Sequence, residues 1–299
     1  MNDLHQQAMN GDRRALARVL SAIEAGSVQV GELVKKRPPQ EEWNVLAITG
    51  APGVGKSVLV DAIMHRWATE GRTTALLAVD PSSPRTGGAL LGDRVRMTTV
   101  DDPSLSNRVY VRSVATRKAI GSVPLVVGDM ASYLLGCGWE RVVIETVGAG
   151  QSELRCAAVA DRIVVVEGPA RGDGIQAEKA GLLELADLVL VNKCDLDGAE
   201  RHASELEDSF ALNDQSPEVR LVSGLRGTGV NEAAEALLKL SASNRSTRAK
   251  MRERLHASIE RRLTNHPEYN STLEAMAEGT LDIDDAMMVL LSDDHERSS

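Results

Sequence analysis

Aromatic side chains are scarce: three Trp, three Tyr and one Phe make up 2% of the chain. Single-strand nucleic-acid platforms stack bases on rings, so this poverty argues against that class. Positive charge is also short, with 34 Lys and Arg against 43 Asp and Glu and a formal net charge of −9. A chain without a basic field lacks the electrostatic drive for bulk binding to nucleic acid or anionic membrane. No apolar run reaches the roughly 18 residues of a membrane span. The opening stretch MNDLHQQAMNGDRRALARVLSAIEAGSVQV is polar and lacks the apolar centre of a signal peptide. Cys137, Cys156 and Cys194 are far apart, which fits neither a disulfide framework nor a zinc site. The expectation is a cytoplasmic protein with no nucleic-acid or membrane partner.

Three regions separate by pattern. Residues 1–42 carry a helical stripe, Leu16, Val19, Leu20 and Ile23, and end in the proline pair of KKRPPQEE. Residues 43–240 alternate short apolar runs with helix-length segments. The runs are VLAIT (45–49), ALLAV (75–79), VVIET (142–146), IVVVE (163–167), LVLVN (188–192) and VRLVS (219–223), with RVYVR (108–112) a weaker one. They are continuous rather than alternating, as strands covered on both faces should be. Strand–helix repetition at this spacing predicts an α/β fold with a doubly wound, mostly parallel sheet. In KSVLVDAIMHRWATEG, Leu59, Ile63 and Trp67 share one face. Residues 241–299 show no strand signal and read as a helical segment, with Met251, Leu255, Ile259 and Leu263 four apart and a second apolar helix ending at DDAMMVLLSDD.

The stretch ITGAPGVGKSVLV, at 48–60, lies between a strand and a helix and fits G-x-x-x-x-G-K-[ST] through Gly50, Gly55, Lys56 and Ser57. Successive backbone N–H groups along Gly50–Val58, plus a helix N-terminus, make a concave anion site, with Pro52 (which has no N–H to give), Gly53, Val54, Gly55 and Val58 as candidate contacts. Lys56 reaches the outer phosphates, and the Ser57 hydroxyl is a Mg²⁺ ligand. The other reading of such a turn is a tight connection and nothing more.

The base follows from LVLVNKCD, which sets Asn192, Lys193 and Asp195 after a buried strand, where α/β ligands collect. One carboxylate at Asp195 accepts from both the ring N1–H and the exocyclic amino group of guanine. Adenine offers no such pair and would leave the carboxylate desolvated and unmatched. The Lys193 stem lies along the base plane, and the backbone around Ser223, Gly224 and Leu225 in VSGLRGTG contacts it. GTP is therefore expected over ATP.

In VVIETVGAGQSE, Glu145 ends a buried strand and Gly148 follows three residues later. Glu145 is a candidate to hold Mg²⁺ through water, the Gly148 amide to sense the γ-phosphate, and Gln151 to position the attacking water. A carboxylate capping the next helix is the plainer alternative. VDPSSPRTGGALLGDRVRM (79–97) is too polar for a core; Asp80 and Asp93 are candidate Mg²⁺ partners, Asp93 also a candidate catalytic group. EGPARGDGIQAEKAG (167–181) is a further loop, from which Gln176 and Lys179 are candidates to swing toward the nucleotide. Asp173 near a helix cap is the equal alternative there.

In this order behind GAPGVGKS, the strings VDPSSPRTGGALLGDRVRM, IETVGAGQSE, GDGIQAEKAG and NKCD resemble the MeaB/ArgK family. These are G-protein metallochaperones of methylmalonyl-CoA mutase and related adenosylcobalamin-dependent acyl-CoA mutases. The likeness runs from about Ala15 to the NHP at 265–267 and the terminal helical segment. It implies a P-loop GTPase of the SIMIBI class with helical N- and C-terminal extensions, commonly a homodimer through the helical ends. It also implies GTP hydrolysis stimulated by a partner mutase, adenosylcobalamin carried by that mutase rather than by this chain, and three switches at 80–97, 145–155 and 168–181. The chain departs from the family in ATRKAIGSV (115–123), in Arg171, and in Ser223-Gly224 where Ser-Ala is commoner. Those departures leave the client open, a 2-hydroxyisobutyryl-CoA mutase being one option. A small-molecule kinase using the same loop and a nickel-insertion GTPase are the competing readings. The first lacks an evident acceptor pocket, and the second usually carries His-rich or paired Cys-His stretches.

Overall fold

A computed structural model describes residues 1–35, 42–81, 97–116, 123–146, 159–169, 183, 186–211, 216–240, 255–256, 258–260, 262–264 and 266–291. The apolar runs form seven strands: β1 Val45–Thr49, β2 Thr74–Pro81, β3 Val109–Thr116, β4 Arg141–Glu145, β5 Arg162–Glu167, β6 Leu188–Val191 and β7 Glu218–Leu221. They make one sheet in the order β3-β2-β4-β1-β5-β6-β7, and every pair is parallel. The expected doubly wound sheet is therefore present. The weakest run was undersold: β3 pairs with β2 from Val109 to Thr116.

Continuous hydrophobicity is explained by two cores, one on each face. Along β1, Val45 and Ala47 enter one core and Leu46 and Ile48 the other; Val142 and Ile144 of β4 oppose Val143 in the same way. Side chains alternate along a strand, so a strand buried twice has no position left for a polar residue.

Helix α1 (Asn2–Met9), α2 (Arg13–Glu24), α5 (Val123–Gly136) and α6 (Ala199–Phe210) supply side chains to the first core; α4 (Lys56–Thr69) and α7 (Val230–Leu238) supply the second. A single turn, α3 (Val30–Leu33), follows α2. The expected α2 stripe is buried: Leu16, Val19, Leu20 and Ile23 pack into the core that α5 shares. Asp12 caps α2 by accepting from the amides of Arg14 and Ala15. Arg112 on edge strand β3 bonds the Ala17 carbonyl and pairs with Glu24 at 2.6 Å, which ties β3 to α2.

On the other face, α4 buries Leu59, Ile63 and Trp67 as its spacing predicts. Two indoles then fasten α7: Trp43 Nε1 donates to the Leu237 carbonyl at 2.7 Å and Trp67 Nε1 to that of Ala234 at 3.1 Å. Each ring buries its body while its one donor is satisfied. Arg141 lies 4.3 Å over the Trp43 ring and donates to its carbonyl. Farther along the chain, α8 (Tyr269–Ala277) and α9 (Ile283–Leu291) pack on each other. Ala286 and Leu290 of α9 are buried, whereas Ile283, Met287, Met288 and Leu291 are exposed. Leu255 and Ile259 of the predicted stripe are also exposed; Met251 lies outside the described residues.

Candidate functional site

The carboxyl ends of β1, β4, β5, β6 and β7 converge on one edge. From Thr49 the chain turns through Gly50–Gly55 and enters α4 at Lys56. Gly50 is forced: a Cβ there would stand 2.0 Å from the Val166 carbonyl oxygen, and its φ is +143°. Lys56 is buried and its Nζ donates to the carbonyls of Gly50 (2.7 Å) and Ala51 (3.1 Å), which puts the ammonium inside the curve of the loop. Pro52 and Gly53 sit exposed at the tip, while Val54 and Val58 are half-buried.

Ser57 Oγ donates to Glu145 Oε1 at 2.7 Å. Glu145 is in register with Ile48 of β1 and Ala78 of β2, so the pleat sends it to the α4 face, where Ser57 begins the helix. Asp80 stands two residues beyond Ala78 on β2; its side chain is outside the described residues. A hydroxyl and a buried carboxylate in contact beside a phosphate loop form a hard-oxygen pair, and that donor set fits Mg²⁺.

The second half of the site is held to the first by one side chain. Asn192 Nδ2 donates to the Val54 carbonyl at 2.8 Å, and its Oδ1 accepts from the Gly224 amide at 3.0 Å. Asn192, a candidate nucleotide contact from the sequence, thus also braces the phosphate loop against the base loop. Lys193, with φ +61°, is the one non-glycine residue of positive φ among the described residues, and its Nζ donates to the Gly53 carbonyl at 2.7 Å. That conformation is uncommon for a side chain with a Cβ and persists only where its surroundings enforce it. It lays the lysine stem between the two loops.

Asp195 Oδ1 accepts the Ser223 hydroxyl at 2.5 Å, with the Arg226 Nε 3.9 Å from Oδ2. The Ser223 bond, with smaller help from Arg226 and Lys193, holds the Asp195 carboxyl below the usual carboxylate range. Asp195 is thus an acceptor throughout neutral pH. Ser223 itself is buried, while Leu225 is 78% exposed beside it. Gly224 has a reason of its own. A Cβ at this position would lie 2.8 Å from Leu59 Cα and 2.9 Å from Leu59 N, so the base loop rests directly on the α4 backbone.

Asp93, Gly148, Gln151, Gln176 and Lys179 lie outside the described residues, as do Arg171 and most of the three expected switches. Two features of the surroundings escaped sequence reading. Asp61 on α4 accepts from Thr98 N (2.8 Å), Thr98 Oγ1 (2.8 Å) and Thr99 N (3.1 Å), which fastens this part of the chain to α4. Its one clue was a carboxylate on the apolar side of a helix. Glu167, buried at the end of β5, stands 3.9 Å from His202 of α6, a pairing between distant segments with no local signature.

With this geometry in view, the sequence was compared with known proteins. The profile of the family described as "Methylmalonyl Co-A mutase-associated GTPase MeaB" matches residues 14–296. The chain belongs to the MeaB family. A protein of Pyrococcus horikoshii, named provisionally as a GTPase, is 37% identical over 246 residues, covering 79% of this chain and 76% of that one. A fused isobutyryl-CoA mutase of Geobacillus kaustophilus is 33% identical over 232 residues, covering 72% of this chain but 20% of that much longer protein. A crystal structure described as LAO/AO transport system kinase superposes with a TM-score of 0.65 at 20% identity, covering 97% of this chain and 95% of that one. That likeness concerns the fold alone. As a MeaB-family P-loop GTPase, the chain is matched to a guanine nucleotide by its family.

Proposed function

We propose that this MeaB-family protein binds and hydrolyses GTP in order to gate the delivery of adenosylcobalamin to a cobalamin-dependent acyl-CoA mutase, and to protect or reactivate that mutase. The observation that carries the nucleotide half is the Asn192 brace, which fastens a guanine-reading carboxylate to a phosphate loop. The mutase half is supported by family membership and by the fused isobutyryl-CoA mutase, in which a MeaB-like segment and a mutase share one chain.

In this reading the Lys56 ammonium exchanges the Gly50 and Ala51 carbonyls for β- and γ-phosphate oxygens and offsets their charge. Ser57 and Glu145, already in contact, would hold Mg²⁺, with Asp80 and Asp93 as further candidates; the ion would supply positive charge to offset that of the phosphates. Asp195 accepts from the two guanine donors while Ser223 keeps it oriented. Gly148 senses the γ-phosphate, Gln151 orients water, and Gln176 and Lys179 complete the site when the mutase docks. The cobalamin stays with the mutase. A second copy of the chain covers the exposed Ile283, Met287, Met288 and Leu291 of α9, giving a homodimer in the cytoplasm.

Affinity purification of the full chain with a cobalamin-binding mutase subunit tests the reading. The subunit should be retained with a non-hydrolysable GTP analogue and released with GDP, and Gln151→Ala or Lys179→Ala should slow hydrolysis chiefly when mutase is present. Nucleotide-independent retention, or equal slowing with and without mutase, would refute the gating role. Transfer of phosphate to a small acceptor without mutase would instead favour the kinase reading.

A further inference from the structure

At the end of the strands opposite the phosphate loop, a cleft of about 280 Å³ opens between the α1–α2 turn and the loops leading into β2, β3 and β4. Arg13, Asn107, Cys137 and Trp139 line it together with Ala8 and Leu16, residues that the nucleotide site does not use. Arg13 is the first residue of α2. Its Nη1 donates to the Val109 carbonyl at 2.9 Å, its Nη2 donates to the Ser106 carbonyl, and its guanidinium lies 5.7 Å over the Trp139 ring. Tyr110 supports that ring from 5.9 Å.

A positive charge taken partly out of water is ordinarily matched by a carboxylate. Arg13 makes no ion pair among the described residues. Burial lowers its proton affinity from the usual arginine value, with Tyr110 partly offsetting, yet a guanidinium keeps its proton at neutral pH. Two acids adjoin cleft residues in the sequence, Asp12 beside Arg13 and Glu140 beside Trp139, and each accepts elsewhere. Asp12 accepts the Arg14 and Ala15 amides as the α2 cap, and Glu140 accepts the Thr73 amide at 2.9 Å. Two of the five N–H groups of a guanidinium are occupied by the carbonyls, which leaves donors for one more acceptor group.

We propose that this cleft binds a small organic monocarboxylate, its charged end on Arg13 and Asn107 and its apolar body against Leu16, Ala8 and Trp139. The cleft is partly apolar, so a bare inorganic ion would leave most of its wall uncovered. A dianion would carry one charge more than a single guanidinium offsets. The cleft and the phosphate loop lie at opposite ends of the sheet, so the ligand and GTP bind without excluding each other.

Titration calorimetry on the full chain with benzoate, hexanoate and inorganic phosphate tests the assignment, in the presence and absence of GTP and Mg²⁺. One or both carboxylates should bind saturably, with or without nucleotide, and phosphate far more weakly. Arg13→Gln should weaken carboxylate binding about tenfold or more, as loss of a charge-assisted contact does. If that variant fails to fold, Cys137 decides. In a chain with Cys156→Ser and Cys194→Ser, the bound carboxylate should slow alkylation of Cys137. No saturable binding, unprotected Cys137, unchanged affinity in Arg13→Gln, displacement by GTP, or phosphate binding as well as the carboxylates would each overturn the proposal.

Discussion

Replacing Gly224 by alanine adds one methyl group at the seam between the base loop and α4. The backbone at Gly224 is not in the positive-φ region, so alanine meets no conformational penalty and the effect is purely steric. The new Cβ would stand 2.8 Å from Leu59 Cα, 2.9 Å from Leu59 N and 3.2 Å from Leu59 Cβ. Leu59 closes the first turn of α4, its amide bonding the Gly55 carbonyl at 3.1 Å, so the helix cannot yield without disturbing the phosphate loop. The base loop must retreat instead. That lengthens the Gly224–Asn192 bond, now 3.0 Å, and draws Ser223 from Asp195, now 2.5 Å away. Overpacking of this kind costs about 1–3 kcal/mol, equivalent to an affinity loss of about 5- to 150-fold if it falls on the binding-competent arrangement. Because the lesion is on the base side, GTP and GDP should lose affinity equally. Stopped-flow binding of fluorescent guanine nucleotides with Mg²⁺ measures both. Affinities within twofold of the parent, or a loss confined to GTP, would refute the steric account.

Asp195→Asn should weaken GTP binding and admit xanthosine triphosphate, whose ring carbonyl takes the place of guanine's amino donor; competition binding that retained strict guanine preference would remove Asp195 from the base contact. The same carboxyl titrates below its ordinary range, so its interaction with Ser223 is fully present above the unfolded value and is lost only as pH falls through the depressed one. Guanine preference should accordingly be flat across about pH 6 to 8, and a midpoint in that window would contradict the assignment. Asp61→Ala strips the acceptor from two amides and a hydroxyl, one amide belonging to the buried Thr99. The loss should be about 2–3 kcal/mol, a fall in Tm of roughly 3–5 °C, with Asp61→Asn recovering part of it. A Tm equal to the parent's would mean that those bonds contribute nothing net.

Much of the fold was legible in local pattern. VLAIT, IVVVE and LVLVN are strands because β-branched and leucine residues without polar interruption fit only a surface buried on both sides. RVYVR was harder, since Arg112 looks like a strand breaker until Glu24 and the Ala17 carbonyl are found beside it. The phosphate loop was readable because its geometry is local: six residues, forced glycines, then a helix. Gly224 could be noticed in the sequence as a departure from Ser-Ala, but its reason is Leu59, which is remote along the chain and adjacent in space.

The sequence by itself determined the types and order of the strands and the phosphate loop, and it pointed to a guanine-reading motif. Periodicity and turn chemistry are properties of neighbouring residues, and they survive without any knowledge of the fold. Strand order and register decided the rest: that Glu145 meets Ser57, that Asn192 spans two loops, and that Arg13 reaches the entrance to β3 with no acidic partner among the described residues. Those meetings join segments that are far apart in the chain, and only a closed sheet with both faces packed brings them within reach of each other.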